Sequence, residues 1–135
     1  MKVDEKSLNP RIIVIQKLYT NHLNKDSELY FPKHRYKKFI KDVVKGTIER
    51  EELIQKLIDE KLKENINKNK TELMVKLMIK AAIYEFMFMH KTPIKVIITE
   101  YLRASDSFIE STQKNFLNAI LDKASKISRV NDVTN

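Results

Sequence analysis

Apolar residues recur along this chain at helical intervals, and polar breaks divide them into segments. Asn9-Pro10 reads as an N-cap followed by proline at the first helical position. Ile12, Ile13, Ile15, Gln16, Tyr19 and Leu23 follow at helical spacing. This helix is expected to end near residues 24–26, with residues 27–32 as a connector. A second helix is predicted over 33–45, with Tyr36, Phe39, Ile40, Val43 and Val44 on one face and His34, Lys37, Lys38, Lys41 and Lys45 on the other. Gly46 stands where that helix would stop. A third helix is predicted over 47–63, with Ile48, Leu53, Ile54, Leu57, Ile58 and Leu62 inward. The polar run NINKNK, residues 65–70, then leads to Thr71, a good cap for a fourth helix reaching about residue 89. Leu73, Met74, Leu77, Met78, Ala81, Ala82, Ile83 and Phe86 lie almost all round that helix, which marks it as central.

The next segment, TPIKVIITEYLRASDSF at residues 92–108, carries two signals. Its β-branched run at 94–98 suggests a buried strand, whereas Thr92-Pro93 suggests a helix start. Ile94, Ile97, Ile98, Tyr101 and Leu102 fall at i, i+3, i+4, i+7 and i+8, and strict alternation fails at Val96-Ile97-Ile98. Helix is the prediction, held by packing because β-branched residues lower its propensity. A last helix is predicted over 112–128, capped by Ser111, with Phe116, Leu117, Ile120, Leu121, Ala124 and Ile127 inward. The expectation is an all-α bundle of six to seven helices in one domain, 1–135, with flexible ends at 1–8 and 129–135.

Composition agrees. One glycine and three prolines in 135 residues are too few turn formers for a typical sheet protein. The 42% hydrophobic content supports a core. With no cysteine there are no disulfides or thiolate metal sites. MKVDEKSLNPRI lacks an apolar core of signal-peptide length, and no apolar run is long enough to span a membrane, so a cytoplasmic location is expected. The net charge of +8 favours anionic partners, nucleic acid first, although a Lys-, Asn- and Ile-rich composition also follows from an AT-rich genome.

No catalytic constellation is present. His22, His34 and His90 are far apart and lack a second ligand type at metal-site spacing, and there is no Gly-rich phosphate loop or nucleophile elbow. No cofactor is expected. Glu85, among apolar neighbours, reads either as a poised acid or as a helix-edge residue pairing with a lysine or a helix end. Asn118 and Gln16 interrupt apolar faces, and a side-chain hydrogen bond to a helix end or loop is the favoured reading over an RNA or partner contact. The lysine face of the second helix is either a solvated surface or a phosphate track. Tyr19, Tyr84, Tyr101, Phe108 and Phe116 could stack on bases, and only Phe108 lies in a predicted loop.

The ordered set RIIVIQKLY, MIKAAIYEF, TPIKVIITEYLRASDSF and KNFLNAILDKAS resembles the NusB family of bacterial transcription antitermination factors. The likeness runs from about residue 11 to 125 and is weakest between 24 and 70. It implies a fold of two packed helical subdomains and binding rather than catalysis. It implies pairing with a ribosomal small-subunit protein that doubles as NusE, binding of boxA-like single-stranded RNA, and entry into an RNA polymerase elongation complex that supports ribosomal RNA transcription. It also implies a surface that can self-associate as a homodimer. By position, the RNA contacts would be Lys2, Lys6, Arg11, Phe108, Thr112, Lys114 and Asn115. The partner contacts would be Lys80, Tyr84 and Glu85. The family's arginine cluster before the first helix reads KSLNP here. Thr99 stands for its asparagine, Ser105-Asp106 for its Ala-Lys, Ala119 for its glycine, Val75 for an acidic residue and Lys80 for an arginine. These departures favour an alternative in which the fold is kept as a protein-interaction module without specific boxA binding. The same helical domain also occurs fused to RNA methyltransferases, which offers a third reading as an RNA-modifying enzyme; with no cofactor-binding domain within these 135 residues, that reading is not expected.

Overall fold

The computed structural model describes residues 8–66 and 71–129. Six α-helices form among them: α1 (Pro10–Leu23), α2 (Lys37–Glu49), α3 (Glu51–Lys61), α4 (Leu73–Phe88), α5 (Ile94–Ser105) and α6 (Lys114–Ser128). A 3₁₀ turn (Ser111–Gln113) precedes α6. Helix α4 packs against each of the other five. Its side chains explain this: Val75, Leu77, Met78, Ile79, Ala81, Ala82, Ile83 and Phe86 are all buried.

The starts of the helices follow local chemistry. Asn9 caps α1 by accepting the Arg11 amide at 2.9 Å, with Pro10 in the first turn. Glu51 and Glu52 sit at the N-terminus of α3 and Lys61 at its C-terminus, each opposing the helix dipole. The 94–98 run is helical. Ile97 and Tyr101 are buried and Val96 is exposed, so one stripe rather than alternate residues faces inward. Pro93 takes the N-cap position of α5 and Glu72 that of α4, each one residue beyond the expected caps. Helix α6 starts later than expected, because Glu110 and Gln113 form a reciprocal capping box around the 3₁₀ turn.

Helix boundaries in the first half differ from expectation: α2 begins and ends later, and α3 is the shorter Glu51–Lys61. Helix α2 begins at Lys37 because the His34 ring accepts the Tyr36 amide at 2.9 Å, which holds residues 33–36 in a turn. It then runs through Gly46, whose φ is not positive. The glycine is a notch rather than a stop: the Tyr84 ring of α4 occupies the space where a Cβ would stand.

The expectation of a flexible terminus from residue 129 is corrected at its first residue. Arg129 is buried. Its guanidinium donates to the carbonyls of Phe86 at 2.8 Å, Thr92 at 2.7 Å, Glu85 at 3.0 Å and Met89 at 3.1 Å. Three of these carbonyls, of Glu85, Phe86 and Met89, lie at the C-terminal end of α4, where carbonyls run short of intrahelical donors and those of Glu85 and Met89 each accept only one backbone amide. The side chain therefore caps α4 and ties the α4–α5 corner to α6.

Candidate nucleic-acid interface

Three regions carry the residues that the sequence singles out: the start of α1, the loop between α5 and α6, and the α4 face beside α2 and α3.

At the start of α1, a polar pair lies inside the core. Arg11 donates from Nε to Glu85 at 3.0 Å and from Nη2 to the other carboxylate oxygen at 2.6 Å. Glu85 has 0% exposure and Arg11 7%. The guanidinium carbon lies 4.8 Å from the Phe39 ring centre and 5.3 Å from that of Tyr101. Burial works against the Arg11 charge, but the Glu85 hydrogen bonds and negative charge outweigh it and raise the Arg11 pKa. Burial first, and then the Glu85 charge, push the Tyr101 hydroxyl well above its ordinary value.

This geometry corrects two expectations. Arg11 is committed to Glu85 rather than to an RNA phosphate, and Glu85 to Arg11 rather than to a protein partner, because each neutralises the other inside the core. Glu85 is not edge-paired with a lysine either. A signal was present in the sequence: a lone arginine at the first turn of an apolar helix and a lone glutamate inside the central one. Lys2 and Lys6 lie outside the described residues.

The α5–α6 loop is tightly wound. The amides of Phe108 and Ile109 both donate to the Ser105 carbonyl at 2.9 Å. Phe108 is half-buried against the core, so the expected loop aromatic is largely a packing residue. The exposed aromatic is Phe116, at 37%, in the first turn of α6. Asn115, Asn118 and Ala119 are exposed beside it, and Thr112 is exposed in the 3₁₀ turn. Asn118 and Gln16 both face solvent, against the expectation of a side-chain hydrogen bond to a helix end or loop. Lys114 is half-buried and bound to Asp106 at 2.7 Å. An open bowl of about 630 Å³ lies here, with Glu72, Asp106 and Glu110 among its lining residues.

On the third face, Tyr84 is half-buried over Gly46 and meets Phe88, with ring centres 5.2 Å apart. Phe88 is exposed, and the Arg50 guanidinium stacks on it at 4.3 Å. Burial raises the Tyr84 pKa, against the opposing charge of Arg50. Lys80 reaches Glu51 of α3 at 3.4 Å. Two of the three expected partner residues thus share a face with an aromatic–arginine stack that the sequence did not disclose, because Arg50 and Phe88 come together only through helix packing. Among the described residues no group of three or more His, Cys, Asp or Glu could hold a metal ion, and no helix is long and apolar enough to cross a membrane.

The NusB family model matches residues 8–126. The chain belongs to the NusB family. A solved structure of Thermotoga maritima NusB superposes with a TM-score of 0.71 at 22% sequence identity, covering 90% of this chain and 92% of that one. A search of curated protein sequences finds no match. NusB-family proteins are RNA-binding transcription antitermination factors without enzymatic activity, and the six-helix architecture described above is the NusB fold. Within that fold the central α4 carries both the buried Glu85 and the outward Lys80–Tyr84 face.

Proposed function

We propose that this NusB-type antitermination factor binds boxA-like single-stranded RNA through the α5–α6 region. It does so together with NusE, a ribosomal small-subunit protein, in an RNA polymerase elongation complex that supports ribosomal RNA transcription in the cytoplasm. The observation that carries the reading is the exposed patch formed by Asn115, Phe116 and Asn118 at the start of α6. An outward ring offers a stacking platform, and flanking amides offer both donors and acceptors to base edges. NusE is assigned to the face with Lys80, Tyr84, Phe88 and Arg50, because an aromatic–arginine cluster is a favourable interface centre. The same face would serve a homodimer when RNA and NusE are absent.

A second reading has its own support. Asp106 neutralises Lys114, and Glu72, Asp106 and Glu110 line the adjacent bowl, which disfavours phosphates there. In that case the fold serves as an interaction module without specific boxA binding.

Fluorescence anisotropy with a boxA RNA and a scrambled RNA, with and without NusE, separates the two. The antitermination reading requires tighter binding to boxA that NusE strengthens. Equal affinity for both RNAs, with or without NusE, overturns it in favour of the interaction module.

A further inference from the structure

Helix α2 carries a basic stripe that boxA recognition at α6 does not use. Lys37, Lys41 and Lys45 recur every four residues, so they stand about 6 Å apart along the axis. Lys37, Lys38 and Lys45 are exposed and Lys41 is half-buried, while Ile40, Val43 and Val44 fill the opposite side. Residues 33–45 hold six cations, counting Lys33 and Arg35, against the single carboxylate of Asp42. Asp42 is taken by Lys38 at 2.9 Å. Lys37, Lys41 and Lys45 have no ion-pair partner among the described residues.

An ordinary solvated helix face alternates charge signs at i, i+4, which stabilises it slightly. Like charges at that spacing repel by a similar amount. The α2 stripe places two such like pairs in series, and a bound polyanion would relieve both. An aromatic marks one end of the stripe. Tyr36 is 49% exposed, with the Arg35 guanidinium 5.5 Å over its ring and the His34 ring 6.0 Å away. The stripe begins beside the entry of the N-terminal segment, where His34 Nε2 bonds the Leu8 carbonyl at 2.8 Å.

We propose that the α2 stripe binds the phosphodiester backbone of a single-stranded nucleic acid, with Tyr36 stacking on a base at its N-terminal end. Lysines in a row with a flanking exposed aromatic are the two elements that sequence-tolerant strand binding uses. An acidic protein surface would use the lysines but would not need the ring.

The test measures binding of a twelve-nucleotide oligouridylate, which contains no boxA, by anisotropy at several salt concentrations. Failure of boxA recognition therefore leaves this proposal standing. The triple variant Lys37→Gln, Lys41→Gln, Lys45→Gln alters two exposed positions and one half-buried one and relieves repulsion, so circular dichroism should show an intact fold. Each lost phosphate contact removes about 0.7 from the slope of log K against log salt, so the slope should fall by about 2 and low-salt affinity by roughly tenfold. Tyr36→Ala should weaken binding without changing the slope. A matching deoxy strand that binds equally supports the backbone as the whole ligand, and tighter RNA binding supports it with a 2′-hydroxyl contact. An unchanged slope in the triple variant overturns the proposal, as does polyglutamate competing as well as the RNA.

Discussion

The Arg11 guanidinium and the Glu85 carboxylate form a two-point hydrogen-bonded pair, at 2.6 and 3.0 Å, that joins α1 to α4 inside the core. The planar fork of arginine matches the two carboxylate oxygens, which a lysine could not do. The Phe39 and Tyr101 rings flank the guanidinium and shield most of it from water. The pair therefore behaves as one neutral structural unit.

Removing one member should be costly. Glu85→Ala leaves a buried uncompensated guanidinium, and about 3–5 kcal/mol of stability should be lost in urea unfolding. The double variant Arg11→Met, Glu85→Leu should recover most of it. If Arg11 has no part in RNA binding, the folded double variant keeps the wild-type salt dependence for RNA. A shallower salt slope would mean that Arg11 reaches phosphates after all.

Gly46 and Tyr84 should be coupled. A methyl group at residue 46 meets the Tyr84 ring directly, so Gly46→Ala should destabilise the protein by about 1–3 kcal/mol through overpacking. That cost should largely disappear in a Tyr84→Ala background. Additive effects in the double-mutant cycle would refute the contact.

The two aromatics of the α5–α6 region should separate by assay. Phe116→Ala should lower RNA affinity by about 1–3 kcal/mol, the worth of one stacked base, with little change in melting temperature. Phe108→Ala should lower stability, since its ring packs on the core. The reverse pattern would place the stacking platform on Phe108.

Tyr101 predicts an alkaline limit to stability. Its hydroxyl is buried beside the Arg11–Glu85 pair, and burial together with the Glu85 charge holds its pKa well above the ordinary 10.0. Above pH 10 the unfolded chain releases this proton and the folded chain keeps it, so stability present below pH 10 is lost as pH rises through the alkaline range. Tyr101→Phe should be within about 1 kcal/mol of wild type at pH 7. It should also unfold with a flatter pH dependence above 10. Equal pH dependence in the two proteins would show that Tyr101 is not the responsible group.

The hydrophobic pattern was enough to place most helices, because a 3.6-residue stripe of apolar side chains is a local property. It assigned the 94–98 run to a helix against its β-branched composition and marked α4 as central. The motif order pointed to the NusB family, since order and spacing survive when single residues change. What the sequence could not disclose were relationships between residues far apart in the chain. Arg11 reads as a cation free for phosphate until Glu85, 74 positions later, is seen to close on it. Gly46 reads as a helix stop until the Tyr84 ring fills its missing side chain. Arg129 reads as tail until four carbonyls around the α4–α5 corner converge on it. Phe108 and Phe116 look alike as aromatics near a loop, and only packing decides which ring faces water. A charged or aromatic side chain takes its role from the partners that remove it from water, and tertiary structure alone supplies those partners.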